Sequence, residues 1–132
     1  WYEMMPEHKD VVDSTFMPNE KLPALYRSAK VTLNDHWKDM LDNQIINNRI
    51  FDALACGLPV ISDGCEGMKE IFPDAVLYYD TKEEFDACVK KVENDYEAVK
   101  AKALEQYDMI KKEYSFERRV EELLEIAEKY RK

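Results

Sequence analysis

At 132 residues the chain has room for one domain with its own core, and not for two full α/β domains. Hydrophobic residues at 45% against 36% charged indicate a soluble globular chain and not a disordered one, and no apolar run is long enough to span a bilayer. Nineteen Lys+Arg against 28 Asp+Glu give a net charge of -9, which argues against nucleic acid or an anionic membrane as a bulk partner.

The charge is uneven. Residues 1–80 carry 7 basic and 14 acidic side chains (net -7), and residues 81–132 carry 12 and 14 (net -2). An anion bound by the first part must therefore be held by backbone amides and very few cations. The N-terminus WYEMMPEHKD has neither the basic region nor the apolar core of a signal peptide, so the expected location is cytoplasmic. Cys56, Cys65 and Cys88 are an odd set without CxxC spacing, which suggests reduced thiols and neither a disulfide framework nor a zinc cluster.

The first ten residues have no clean period. Val11 to Phe16 is short and β-branched enough for a strand, ended by Pro18-Asn19. Leu22, Leu25, Tyr26 and Ala29 have helical spacing, with Pro23 tolerable in the first turn. Val31 to Leu33 predicts a second strand, and the polar dozen residues after Asn34-Asp35 predict a loop. Asn47 or Asn48 caps a helix to about Cys56, with Gly57 at its C′ position and Pro59 preventing continuation.

Leu58 to Ser62 reads as a buried strand, Gly67 to Phe72 as a short helix and Val76 to Tyr79 as another strand. Thr81 with Glu84 forms a capping box for a helix to about Glu93, whose inner face is Phe85, Cys88, Val89 and Val92. A further helix is expected from about Tyr96 to Glu113. Ser115 caps the last one, with Phe116, Val120, Leu123, Leu124 and Ala127 on its apolar stripe. Short apolar strands alternating with helices imply a parallel sheet covered on both faces, in a three-layer α/β domain with C-terminal helices.

In such sheets ligands sit beyond the carboxyl ends of strands. Two predicted ends are Asn34-Asp35-His36-Trp37 and Ser62-Asp63-Gly64, and between them lies the start of the Asn48 helix, whose unpaired N–H groups and positive dipole end suit a phosphate. On that helix Ile50, Phe51 and Leu54 face the sheet, while Asn48 and Asp52 share the other side. Arg49 is the only Lys or Arg between Lys38 and Lys69, and in a first turn it opposes the dipole, for which an anionic ligand would be a reason. A solvated Arg49–Asp52 ion pair is the alternative. Asp52 is placed to accept hydrogen bonds from a diol such as a ribose. His36, Asp39 and Asp42 match no strong metal motif, and no metal or cofactor is expected.

The runs LPALYRSAKVTLNDHW and NNRIFDALACGLPVISD together resemble the donor-binding C-terminal half of the GT-B glycosyltransferases, and most closely the branch with spore-maturation-type and polysaccharide-assembly transferases. The resemblance covers nearly the whole chain. It implies a Rossmann-like fold and a nucleotide-diphosphate sugar as ligand, with the ribose hydroxyls held by Asp52. The diphosphate would be held by the amides of Asn47, Asn48 and Arg49, assisted by the Arg49 side chain. Asn34, Asp35, His36 and Trp37 would stand at the mouth, and Thr15, Phe16 and Met17 where family members cradle the base.

The first of the family's two acidic positions falls on Gln44, whose neutral amide can bond hydroxyls but cannot stabilise positive charge. A GT-B enzyme also needs an N-terminal acceptor-binding half. The chain is accordingly expected to be a fragment lacking that half and the first strand and helix of the donor domain, with peripheral membrane contact left to the missing half. The resemblance suggests transfer with retention. Two rivals stand beside it: a nucleotide-sugar epimerase domain of the same fold, and a non-catalytic module kept for protein association. A receiver-like domain is disfavoured, since no strand end carries the required Lys.

Overall fold

The computed structural model describes residue 10 and residues 16–131. Three parallel strands, β1 (Thr32–Asn34), β2 (Val60–Ser62) and β3 (Val76–Tyr78), form a sheet in the order β1-β2-β3. The register sets Asn34 beside Ser62 and Ser62 beside Tyr78. Eight helices accompany them among the described residues: α1 (Leu22–Ser28), α2 (Lys38–Asp42), α3 (Asn48–Ala55), α4 (Glu66–Ile71), α5 (Lys82–Asn94), α6 (Tyr96–Leu104), α7 (Tyr107–Glu113) and α8 (Phe116–Lys129). A 3-10 turn, Asn19–Lys21, leads into α1.

The layers follow from the pleat. Val60 and Ile61 are adjacent in β2, so they point to opposite faces, and each is completely buried in a different cluster. Val60 joins Ile50, Ala53 and Leu54 of α3, Met68 of α4 and Phe72. Ile61 joins Val92 of α5 and Val99 of α6, with Phe85, Cys88 and Val89 packed around them. The fold is the expected α/β one, with a parallel sheet between helical layers.

Local chemistry explains the boundaries. Asn47 caps α3 by accepting from the Arg49 N–H at 2.9 Å. Gly57 ends the same helix at φ 70°, where an added Cβ would run into the Leu104 side chain. Thr81 and Glu84 form the predicted capping box of α5. Ser115 caps α8 by accepting from the Arg118 N–H at 3.2 Å.

One expectation falls on residues that are not described, and three change. The strand predicted from Val11 lies outside the described residues, apart from Phe16, which is in irregular chain. The polar stretch after Asn34 contains α2, held by a Lys38–Asp42 pair at 2.6 Å one turn apart. The helix predicted from Tyr96 to Glu113 is interrupted between α6 and α7, where the Gln106 side-chain amide donates to the Lys102 carbonyl and supplements the backbone ladder at the end of α6. The stripe of α8 is exposed: no residue of that helix is buried, and Leu123 retains 65% of its surface.

Candidate functional site

The carboxyl ends of β1 and β2 are joined by a chain of hydrogen bonds that runs on to the first turn of α3. The Arg49 guanidinium donates to Asn34 Oδ1 at 3.1 Å, and Asn34 Nδ2 donates to Ser62 Oγ at 3.0 Å. Ser62 Oγ in turn lies 3.3 Å from Asp63 Oδ1 and donates to it. The same oxygen is 2.6 Å from His36 Nδ1, while Asp63 Oδ2 takes the His36 backbone N–H at 3.1 Å. The remaining ring nitrogen, Nε2, accepts from the Asn47 N–H at 3.3 Å. An amide can only donate, so Nε2 is the acceptor and the proton sits on Nδ1, directed at Asp63.

The network fixes where α3 begins. Asn34 and Ser62 are buried and opposite each other in the sheet, and each has its polar atoms satisfied by the other and by the neighbouring links. The imidazole of His36 has no exposed surface, so His36 is not an open donor at the mouth. It holds Asn47, the cap residue, against the end of β2. His36, Asp39 and Asp42, which match no strong metal motif in the sequence, stay apart: His36 turns to Asp63 and Asp42 pairs with Lys38.

Two of the three amides expected to face a diphosphate are engaged within the protein, Asn47 to His36 and Arg49 to the Asn47 side chain. No side chain among the described residues accepts from the Asn48 N–H. Arg49 and Asp52 do not pair: the guanidinium bends back to Asn34. The Asp52 carboxylate has no hydrogen-bond or ion-pair partner among the described residues, and burial raises its pKa above the usual 3.8 although the residue remains partly open to solvent.

Asp52 opens onto a cavity of about 660 Å³ between α1, α3 and the junction of α7 with α8. Tyr26 of α1 lines it beside Asp52 and Asn48, with Cys56 further along α3. Burial raises the Tyr26 phenol's pKa, the Asp52 charge adds to the rise and the Arg49 charge opposes it. Burial likewise pushes the Cys56 thiol up, against the pull of Arg27. One carboxylate therefore sits in a site where few groups compensate its charge, an arrangement that suits hydroxyl donors from a ligand.

The other predicted residues are dispersed. Asp35 is exposed, Trp37 precedes α2 with 73% of its surface exposed, and Phe16 is 76% exposed with Met17 half-buried beside it. Gln44 has φ 57°, and its amide is used at both ends: Oε1 accepts from the Gly67 N–H in the first turn of α4 at 3.1 Å, and Nε2 donates to the Leu41 carbonyl at 3.2 Å. Sequence reasoning named the Ser62-Asp63 strand end without assigning it a role, and polar residues in register with Asn34 were the available signal. It did not find Tyr26 or the α7–α8 residues, which come from distant parts of the chain.

A parallel sheet with polar strand ends, a capped helix between them and an unpartnered carboxylate over a cavity define an α/β domain of the kind that takes ligands beyond the carboxyl ends of its strands. A sequence family described as glycosyl transferase-like matches residues 2–125, and the chain belongs to that family. No curated protein and no solved structure matches the chain. No described helix is long and apolar enough to cross a membrane.

Proposed function

We propose that this glycosyltransferase domain binds the nucleotide-diphosphate sugar donor, acting with an acceptor-binding half in the manner of the polysaccharide-assembly branch of GT-B enzymes, with retention of configuration. The observation that carries this reading is Asp52: a carboxylate with no hydrogen-bond or ion-pair partner among the described residues, one turn from the start of α3, facing a cavity of ligand size. Asp52 takes the ribose hydroxyls. The Asn48 amide and the positive end of α3 face the diphosphate, and Arg49 exchanges Asn34 for a phosphate oxygen at short reach. In the transfer step, the negative charge developing on the leaving diphosphate is stabilised by this helix end, an electrostatic contribution that needs little reorganisation because Asn47 is already locked by His36.

Gln44 favours a second reading. The position where the family carries an acid is occupied by an amide committed to Gly67 and Leu41, which suits a module that has kept donor binding or association without catalysis. Calorimetry of the full-length protein with UDP, GDP and ADP tests donor binding, and turnover of the matching sugar donors separates enzyme from module. Saturable binding of one diphosphate, lost in Asp52→Ala, is the expected result. If none of the three binds, the donor reading fails.

A further inference from the structure

The last helix carries an apolar seam that the described residues leave uncovered. Phe116, Val120, Leu123, Ala127 and Tyr130 recur at intervals of four, three, four and three residues, the heptad spacing of a helix that packs lengthwise on another helix. All of them are exposed, and no residue of α8 is buried. The ion pairs of Arg118 with Glu121, Glu122 and Glu125 lie on the opposite side of the helix, so they leave the seam free.

The flanks of the seam are matched to themselves. Glu117, Leu124 and Arg131 follow one flank seven residues apart, and Ile126 stands on the other. Glu117 and Arg131 have no ion-pair partner among the described residues, and the Arg131 N–H donates to the Glu128 carbonyl at 3.2 Å, which keeps it near the helical path. Lay a second α8 along the seam in the antiparallel sense, with Glu125 at the midpoint. Leu123 of each copy then meets Ala127 of the other, Val120 meets Tyr130, and Leu124 and Ile126 meet their own counterparts. Glu117 stands opposite Arg131 at both ends. The parallel sense leaves those two charges about 21 Å apart along the helix and brings two chains of net charge -9 together at one end.

We propose that α8 is the docking surface for a second copy of this chain, in an antiparallel helix pair centred on Glu125 with Glu117 of each copy facing Arg131 of the other. The antiparallel sense opposes the two helix dipoles and holds the two acidic bodies at opposite ends of the pair. Two heptads make a short seam, so the pair forms reversibly, and the dilute chain is a monomer with the stability of its own core. Donor binding and pairing use different residues: neither Glu117, Leu123 nor Arg131 lines the cavity beside Asp52.

Sedimentation of the full-length protein between roughly 1 and 500 µM tests the pairing, with melting curves to show that each variant is folded. The wild type is expected to pass from monomer to dimer in that range, and Leu123→Glu, which places a charge on each side of the seam, to stay monomeric. Glu117→Arg and Arg131→Glu each set like charges against one another at both ends of the pair, and each is expected to raise the dimer Kd by roughly threefold to tenfold. The double variant carrying both changes restores opposite charges and is expected to return to the wild-type Kd. A wild type that stays monomeric up to the highest concentration overturns the proposal and assigns the stripe to another part of the protein or another partner. A dimer that survives Leu123→Glu overturns it as well, and so does a double variant no tighter than the two single ones, since the charges then do not meet.

Discussion

His36 Nδ1 lies 2.6 Å from Asp63 Oδ1, and through the other ring nitrogen that contact reaches the Asn47 N–H at the cap of α3. The residue ties the end of β1 to two contacts that are 11 and 27 residues away from it in sequence, at α3 and at the end of β2, and its imidazole does so from a fully buried position.

Replacing the ring removes two bonds. His36→Ala takes the ring N–H from Asp63 Oδ1, a carboxylate that keeps the Ser62 hydroxyl and the residue-36 backbone N–H, and it leaves the part-buried Asn47 N–H without its acceptor, an unsatisfied group that costs about 1–3 kcal/mol. The variant should lose stability in urea by about that amount or more. Nitrogen-15 chemical shifts of the wild-type ring should report the proton on Nδ1. A ring with the proton on Nε2 would contradict the chain of donors drawn from Arg49 to Asp63.

Much of this site was legible in the sequence, and the missing part has a physical reason. Asn47, Gly57, the Thr81–Glu84 box and Ser115 act through local hydrogen bonds and backbone angles, which neighbouring residues encode. The strand ends at Asn34 and Ser62 could be placed because parallel sheets bring such ends together. What could not be read was which way side chains turn there. Arg49 was a candidate for an ion pair with Asp52, and its guanidinium instead donates to Asn34, fifteen residues back, at 3.1 Å. Phe116 and Asp52 line one cavity from distant parts of the chain, a juxtaposition that no local pattern encodes.

Asp52 should trade stability for binding. Burial raises its pKa in the folded chain, so the folded state holds that proton more tightly than the unfolded chain does. Its contribution to stability is then fully present below the unfolded value near 3.8 and is lost as the pH rises through the raised folded value. Asp52→Asn keeps the volume and removes the charge. At about pH 7 it should melt at or above the wild type, and the difference should close on acidification below 3.8, while diphosphate affinity falls. A lower melting temperature at neutral pH would mean that the carboxylate has a stabilising partner in solution.

Gln44 lends itself to a paired substitution. Its Oε1 accepts from Gly67 in the first turn of α4, a place where a negative group interacts favourably with the helix dipole. Gln44→Glu can keep that bond and should stay within about 1 kcal/mol of the wild type, losing only the Leu41 contact. Gln44→Ala loses both and should cost about 1–2 kcal/mol by chemical denaturation. Equal losses in the two variants would mean that the Gly67 bond carries no stability. Because Gln44→Glu also places an acid at the position where the proposed donor-site reading expects one, any gain in sugar transfer by this variant can be read separately from folding.

The apolar stripes of α3 and α8 should respond in opposite ways. Leu54 in α3 is completely buried among Ile50, Val60 and Phe72, so Leu54→Ala removes apolar contacts and opens a cavity, at about 2–5 kcal/mol. Leu123 and Leu124 in α8 keep 65% and 60% of their surface exposed, and truncating either to Ala should change stability by no more than about 0.5 kcal/mol. Urea denaturation of the three variants separates the cases. A loss of several kcal/mol in Leu123→Ala would show that α8 packs its stripe against another surface in solution, whereas a small loss would leave the sheet and α3 as the source of the domain's stability.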